Sequence, residues 1–224
     1  MTTYRKFDWD RARKDFFTLF TDFFTYDTAD WTLTTTEAGS GNATEAVGNL
    51  AGGILVVTND DADNDFDAFQ WAGQSGATKE CFKFTSGKSL QFVFRGKVSD
   101  ADQCDLMAGL YITDTSPVAG VTDGIFFRKS DDATRLYLVI RKNDTETTVD
   151  TGYDLLDDTY FDCEFYYDGS HDKILAYVNG SPSGSGVLTN VPDDEELALS
   201  FAFQNGAAAA KVLSVDYIGA SQQR

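Results

Sequence analysis

The chain has 224 residues, 42% of them hydrophobic, with 18 Phe and 10 Tyr supplying most of the bulk and only 3 Pro against 19 Gly. Its formal net charge of -18 repels phosphate backbones, so no nucleic-acid partner is expected. Three widely spaced cysteines and a single histidine, His171, make neither a disulfide framework nor a zinc set, so free thiols in a reducing compartment are expected.

The first 28 residues are the least sheet-like. Arg5, Lys6, Arg11, Arg13 and Lys14 face only Asp8 and Asp10 across residues 1–14, a basic leader on an acidic body. No apolar stretch of signal-peptide type opens the chain and no run reaches transmembrane length, so a soluble protein with no membrane partner is expected. Over residues 11–26, Phe16, Leu19, Phe20, Phe23 and Phe24 fall at helical spacing, which allows a short amphipathic helix, although Thr and Phe weaken it. These phenylalanines either close one end of the core or anchor an arm in a neighbouring subunit.

From residue 30 the pattern changes to strands. Trp31 and Leu33 alternate with threonines, residues 37–53 read as a long glycine-bearing loop, and 54–58 form a compact β-branched strand. Residues 58–67 (TNDDADNDFD) then bring five aspartates close together. Calcium needs several hard oxygens at short spacing, which makes Asp61, Asp63 and Asp65 metal candidates. The stretch does not fit an EF-hand, since Phe66 stands where the sixth-position glycine would be and Ala72 where the glutamate would be. The favoured reading is a solvated loop, with no cofactor and calcium as the only candidate.

Leu90, Phe92 and Phe94 alternate with Gln91, Val93 and Arg95, and further strands follow at 106–113, 125–128, 136–140 and 147–151. The clearest element is a hairpin over residues 160–180. Phe161, Cys163, Phe165 and Tyr167 lie on one face of its first strand and Asp162, Glu164, Tyr166 and Asp168 on the other. Its second strand carries Ile174, Ala176 and Val178 in phase and stops at Asn179-Gly180, residues that accept positive φ. SPSGSG at 181–186 reads as a loop; strands at 197–203 and 212–218 complete a pattern of about a dozen strands with no linker between them. The expected fold is all-β, a two-sheet antiparallel jelly-roll sandwich over residues 29–224, with residues 1–28 as a short, partly helical N-terminal arm.

No catalytic set stands out. None of the seven glutamates begins a Glu-x-Asp-x-x-Glu strand motif. Asp162, Glu164 and Asp168 share a face but read as solvated acids, and His171 has no Ser or Cys partner. The expectation is a protein that is not an enzyme. Tyr137, Tyr166 and Tyr177 fall opposite the aliphatic rows, where exposed tyrosines stack on sugar rings or anchor an interface, or else lie under a covering layer.

The order of signals resembles a known family. Trp31-Thr32-Leu33, Gly52-Gly53-Ile54-Leu55 and residues 90–95 make one half. Residues 160–169, Tyr177-Val178-Asn179-Gly180, Val191-Pro192 and Val215-Asp216-Tyr217-Ile218 make the other. Together they resemble the concanavalin A-like (laminin-G-like) jelly roll of tailed-bacteriophage virion proteins of the decoration type, over residues 30–218. The resemblance implies a two-sheet sandwich and a structural virion protein, a capsid decoration (cement) protein on the outer surface of a phage head. It would be assembled in the host cytoplasm, with the major capsid protein and copies of itself, as a homotrimer, for partners. In that reading Arg5, Lys6, Arg11, Arg13 and Lys14 meet acidic patches, and Phe16, Phe17 and Phe20 are the apolar anchors of a capsid or subunit interface. The alternatives are a carbohydrate-binding, lectin-like module that meets host surface glycans through the tyrosines, and a tail or fibre component.

Overall fold

A computed structural model describes residues 15–37, 41, 43–49, 51–171, 173–186 and 188–224. Arg5, Lys6, Arg11, Arg13 and Lys14 lie outside the described residues, as does any helix before residue 15. Among the described residues, fifteen strands form two antiparallel sheets, the sandwich expected from the alternating pattern.

The first sheet holds β1 (Phe16–Thr21), β3 (Thr44–Val47), β4 (Leu55–Thr58), β6 (Ser89–Val98), β11 (Phe161–Asp168), β12 (Lys173–Val178), β13 (Ser181–Gly186) and β15 (Val212–Gln223), and runs β13-β12-β11-β6-β15-β4-β3. The second holds β2 (Trp31–Thr36), β5 (Phe66–Trp71), β7 (Cys104–Tyr111), β8 (Gly124–Lys129), β9 (Arg135–Lys142), β10 (Thr145–Asp154) and β14 (Ala198–Asn205), in the order β10-β9-β8-β7-β14-β5-β2. Period-two alternation sends one row of each strand into the space between the sheets. Phe69 and Phe201 stack there at 4.4 Å and Phe92 and Phe165 at 5.2 Å. Each fully buried aromatic of this kind contributes about 1.5–3 kcal/mol by leaving water.

The hairpin over 160–180 forms as its pattern requires. Phe161, Cys163, Phe165 and Tyr167 are buried, and Asp162, Glu164, Tyr166 and Asp168 are half-buried on the opposite face. Asn179 and Gly180 both take positive φ, 49° and 71°, and turn β12 directly into β13. The three cysteines are free, Cys104 and Cys163 within the core.

Four expectations are corrected. The helical spacing between residues 16 and 24 is not used, because Phe16–Thr21 is strand β1. It pairs from Phe16 opposite Gln223 to Thr21 opposite Ile218, along the second half of β15, while β4 takes the first half. The open edge of β15 supplies every backbone partner a strand needs, and Phe and Thr favour strand over helix. The segment after it is no free arm either: Phe23 is 1% exposed, 6.1 Å from the Trp31 ring and 6.4 Å from Phe201. The loop expected at 37–53 contains the edge strand β3. SPSGSG is β13, not a loop, and glycine is what admits it. A Cβ on Gly184 would lie 2.7 Å from Val149 Cγ1, and one on Gly186 2.4 Å from Ile140 Cδ1, so β13 presses its backbone onto the opposite sheet and closes that side of the sandwich.

Candidate functional site

The two sheets offer different outer faces. On the second sheet, Phe66, Ala68, Met107, Tyr111, Phe126, Val139 and Ala202 form a small buried cluster with Val121 and Val118, which lie in the segment joining β7 to β8. A helical turn at Pro117–Gly120 belongs to that segment, and beside it lies a recess of about 220 Å³ lined by Thr36, Asn64, Phe66, Ser116, Val118 and Gln204. Of the three tyrosines singled out in the sequence, Tyr137 belongs to this sheet, in register with Arg128 and Asp150.

The first sheet leaves its outer face open and brings the other two tyrosines together. Glu164 pairs with Tyr177 on one side and Val93 on the other, Val93 pairs with Gly219, and Gly219 with Phe20. One cross-strand row therefore reads Tyr177, Glu164, Val93, Gly219, Phe20. The next reads Leu175, Tyr166, Gln91, Ser221, Thr18. With strands about 4.8 Å apart, each row of five spans roughly 19 Å. Tyr166 and Tyr177 are half-exposed, and Phe20 is 56% exposed. The Phe20 ring lies over Gly219, where a Cβ would come within 2.7 Å of it, and stands 5.7 Å from the ring of Tyr217. Polar donors and acceptors stand between the rings: Gln91 Nε2 donates to Glu164 Oε1 at 2.7 Å, and the hydroxyls of Thr18 and Ser221 are bonded at 2.8 Å. Burial pushes the Glu164 carboxyl up from the usual carboxylate range, against the opposing effect of the Gln91 bond.

A bulge in β15 at residues 215–217 turns both Asp216 and Tyr217 toward Arg95 and its partners. Arg95 Nη1 donates to Asp162 Oδ2 at 2.7 Å, Arg95 Nε to Asp216 Oδ2 at 2.9 Å, and Tyr217 OH to Asp162 Oδ1 at 2.6 Å. The Arg95 guanidinium also stands 5.0 Å over the ring of Tyr160. Burial, and then donation to Asp162, push the Tyr217 hydroxyl well up from its ordinary value. The acids noted in the sequence do share this face, and each has a partner: Asp162 has Arg95 and Tyr217, Glu164 has Gln91, and Asp168 has His171 Nδ1 at 2.8 Å.

The apolar anchors expected of an arm are dispersed by β1. Phe17 turns inward, its ring 5.0 Å from Phe82, whereas Phe20 joins the open face and Phe16 is half-buried at the start of the strand. The part played by Phe20, Arg95 and Asp216 was invisible in the sequence. The alternation of Gln91, Val93 and Arg95 marked their outward face, but no local signal places β1 or the β15 bulge beside it.

The calcium candidates also rearrange. Asp61 and Asp63 are exposed, and Asp65 is buried and joins not them but Glu37 and Asp60, with one carboxylate oxygen from each within 4.8 Å of the others.

No protein family matches the chain, and no curated protein does either. Solved structures match it at fold level. A protein of unknown function, SO2946 from Shewanella oneidensis MR-1, superposes with a TM-score of 0.60 at 17% identity, over 99% of this chain and 97% of that one. The endo-1,3-β-glucanase of Streptomyces sioyaensis gives 0.61 at 10% identity, over 93% and 96%. Peanut lectin bound to a 9mer peptide gives 0.58 at 12% identity, over 93% and 97%. The fold is the concanavalin A-like jelly roll, as the sequence resemblance implies. It is the architecture of lectins and of carbohydrate-active proteins. The expectation that the chain is not an enzyme is overturned, because the fold is shared with glucanases and a glucuronan lyase. These neighbours lend no support to a virion role.

Proposed function

We propose that the protein is lectin-like and binds carbohydrate on the outer face of its first sheet, along the row from Tyr177 to Phe20 with Tyr166 beside it. The observation that carries this reading is the alternation of partly exposed rings with planar amide and carboxylate groups on an open strand surface. Rings cover the apolar C–H faces of a sugar, and Gln91 and Glu164 present adjacent acceptors and donors to paired hydroxyls. A row of roughly 19 Å accommodates an oligosaccharide better than a single sugar. The jelly-roll neighbours, lectins and glucanases among them, support the reading at the level of fold.

A glycan array with the purified chain tests it, run with and without calcium. Reproducible binding that Tyr166→Ala and Tyr177→Ala each weaken by about 5- to 100-fold, the range for a buried aromatic anchor, is the expected result. Binding indifferent to both substitutions, or no glycan bound at all, rejects it.

The capsid-decoration reading is a second proposal. Phe20 and Phe24, 56% and 67% exposed, lie in the segment that continues from the basic N-terminal residues, as a protein-docking edge would. Co-sedimentation with phage shells, with and without residues 1–14, separates the two readings.

A further inference from the structure

The edge of the sandwich opposite β13 is lined with acid. In the β2–β5 pair, Thr35 stands opposite Asp67. Two residues further along each chain, Glu37 and Asp65 fall on the same, inward face. From the other sheet, Glu45 of β3 stands opposite the buried Val57, and Asp60 follows from the end of β4. Glu37, Asp60 and Asp65 each place a carboxylate oxygen within 4.8 Å of the other two.

A separate observation points to a ligand. Asp67 is fully buried, at 0% exposure; its Oδ1 accepts from Thr35 Oγ1 at 2.6 Å, and its Oδ2 is buried with no hydrogen-bond partner. Glu37 repeats the arrangement, Oε1 accepting from the amide of Ala43 at 2.7 Å and Oε2 buried without a partner. In both carboxylates one oxygen is pinned and the other is left unmatched. Such a group is costly to bury alone. The charges acting on Asp67 do not relieve it, for they are Glu45, Glu37 and Asp65, and burial above all pushes its carboxyl up to about 7.

The surroundings hold the cluster in place. Asn205 Nδ2 donates to the carbonyls of Asp60 at 2.6 Å and Ala62 at 3.1 Å, and Asn59 Nδ2 donates to the carbonyl of Asp65 at 2.9 Å. Buried asparagines from both sheets thus fix the 60–65 loop. Gly41 runs so close to Asp60 that a Cβ there would collide with its carboxylate.

We propose that Glu37, Asp60 and Asp65 form a calcium site that ties the two sheets together at this edge, with the unmatched carboxylate of Asp67 next along the same inward face. All three donors are hard oxygens, with no histidine or thiol among them, which selects against zinc and copper. Oxygens bound to one calcium at 2.3–2.6 Å stand no more than about 5 Å apart, the span seen here. Magnesium demands near-ideal octahedral geometry and keeps its waters, which a cleft with several anionic ligands does not favour. The site is independent of the sugar-binding reading, since it faces the interior and the tyrosine row faces out.

The test is thermal unfolding of the full chain after chelator treatment, titrated with calcium or magnesium, alongside terbium luminescence sensitised by Tyr26, which has Glu45 and Asp67 for neighbours. At a hundredfold excess of calcium over its dissociation constant the folded-to-unfolded ratio rises about a hundredfold, a gain of about 5–10 °C in melting temperature for a chain of this size. Asp60→Asn and Glu37→Gln abolish the gain while the metal-free circular dichroism stays that of the wild type, and Asp61→Asn and Asp63→Asn leave the gain intact. No calcium-dependent shift in the wild type, an equal shift with magnesium, a gain that persists in Asp60→Asn, or one that is lost in Asp61→Asn overturns the proposal.

Discussion

Two adjacent phenylalanines should behave in opposite ways. Phe23 is 1% exposed, with its ring against both Trp31 and Phe201, while Phe24 is 67% exposed. Truncating a buried phenylalanine costs about 3–5 kcal/mol in transfer and cavity terms. Aromatic contacts worth about 0.5–1.5 kcal/mol each are part of what Phe23→Ala removes. Phe23 also holds a positive φ of 52°, and alanine inherits that strain without the packing that compensates for it. A loss of about 3–5 kcal/mol corresponds to a fall of about 6–20 °C in melting temperature for a chain of 150–250 residues. Phe24→Ala, by contrast, should stay within about 0.5 kcal/mol of the wild type. Urea unfolding followed by tryptophan fluorescence reads both, since Trp31 is the neighbour of Phe23. A loss of less than about 1 kcal/mol for Phe23→Ala would refute the assignment of residues 16–24 to the sandwich and restore the free arm.

Two other predictions test the opposite edge and the response to acid. Gly186→Val pushes a side chain into Ile140 and should cost about 1–3 kcal/mol through overpacking, read as a shift in the urea midpoint; a neutral result would free β13 from the opposite sheet. The carboxyl of Glu146, bonded by both terminal nitrogens of Arg128 at 3.0 and 3.1 Å, is held below the usual glutamate range, chiefly by those bonds. Its folded value is depressed, so its contribution to stability is complete above the unfolded value of about 4.3 and is lost as pH falls through the lower folded value. The stability gap between wild type and Glu146→Gln should therefore be largest near neutrality and close in acid, and a gap that widens on acidification would contradict the ion pair.

Much of this protein could be read from its sequence. The alternation of Phe161 to Tyr167 and of Leu90 to Phe94 determined which side chains face inward, placed Cys163 in the core and turned Tyr166 outward, because strand periodicity is a property of the local chain. The two-sheet architecture followed, since so many one-faced strands must bury those faces against each other. Pairing was another matter. Residues 16–24 carry a helical spacing that was overridden by the free edge of β15, at the other end of the chain. The glycines and serines of β13 carry no hydrophobic signal, and only the closeness of Val149 and Ile140 shows why they must be small. Lys129 continues the inward row of Ile125 and Phe127 and is fully buried, its ammonium donating to the carbonyls of Asp102 and Cys104, a placement that charge alone argues against. The acidic cluster shows the difference most directly. The sequence displayed a run of aspartates at 60–67, but Asp61 and Asp63 face solvent, while Glu37 reaches Asp60 and Asp65 from the end of β2. Spacing along a chain reports the face of a residue; which residues share a space is decided by strand order, and strand order depends on contacts between segments that are distant in sequence.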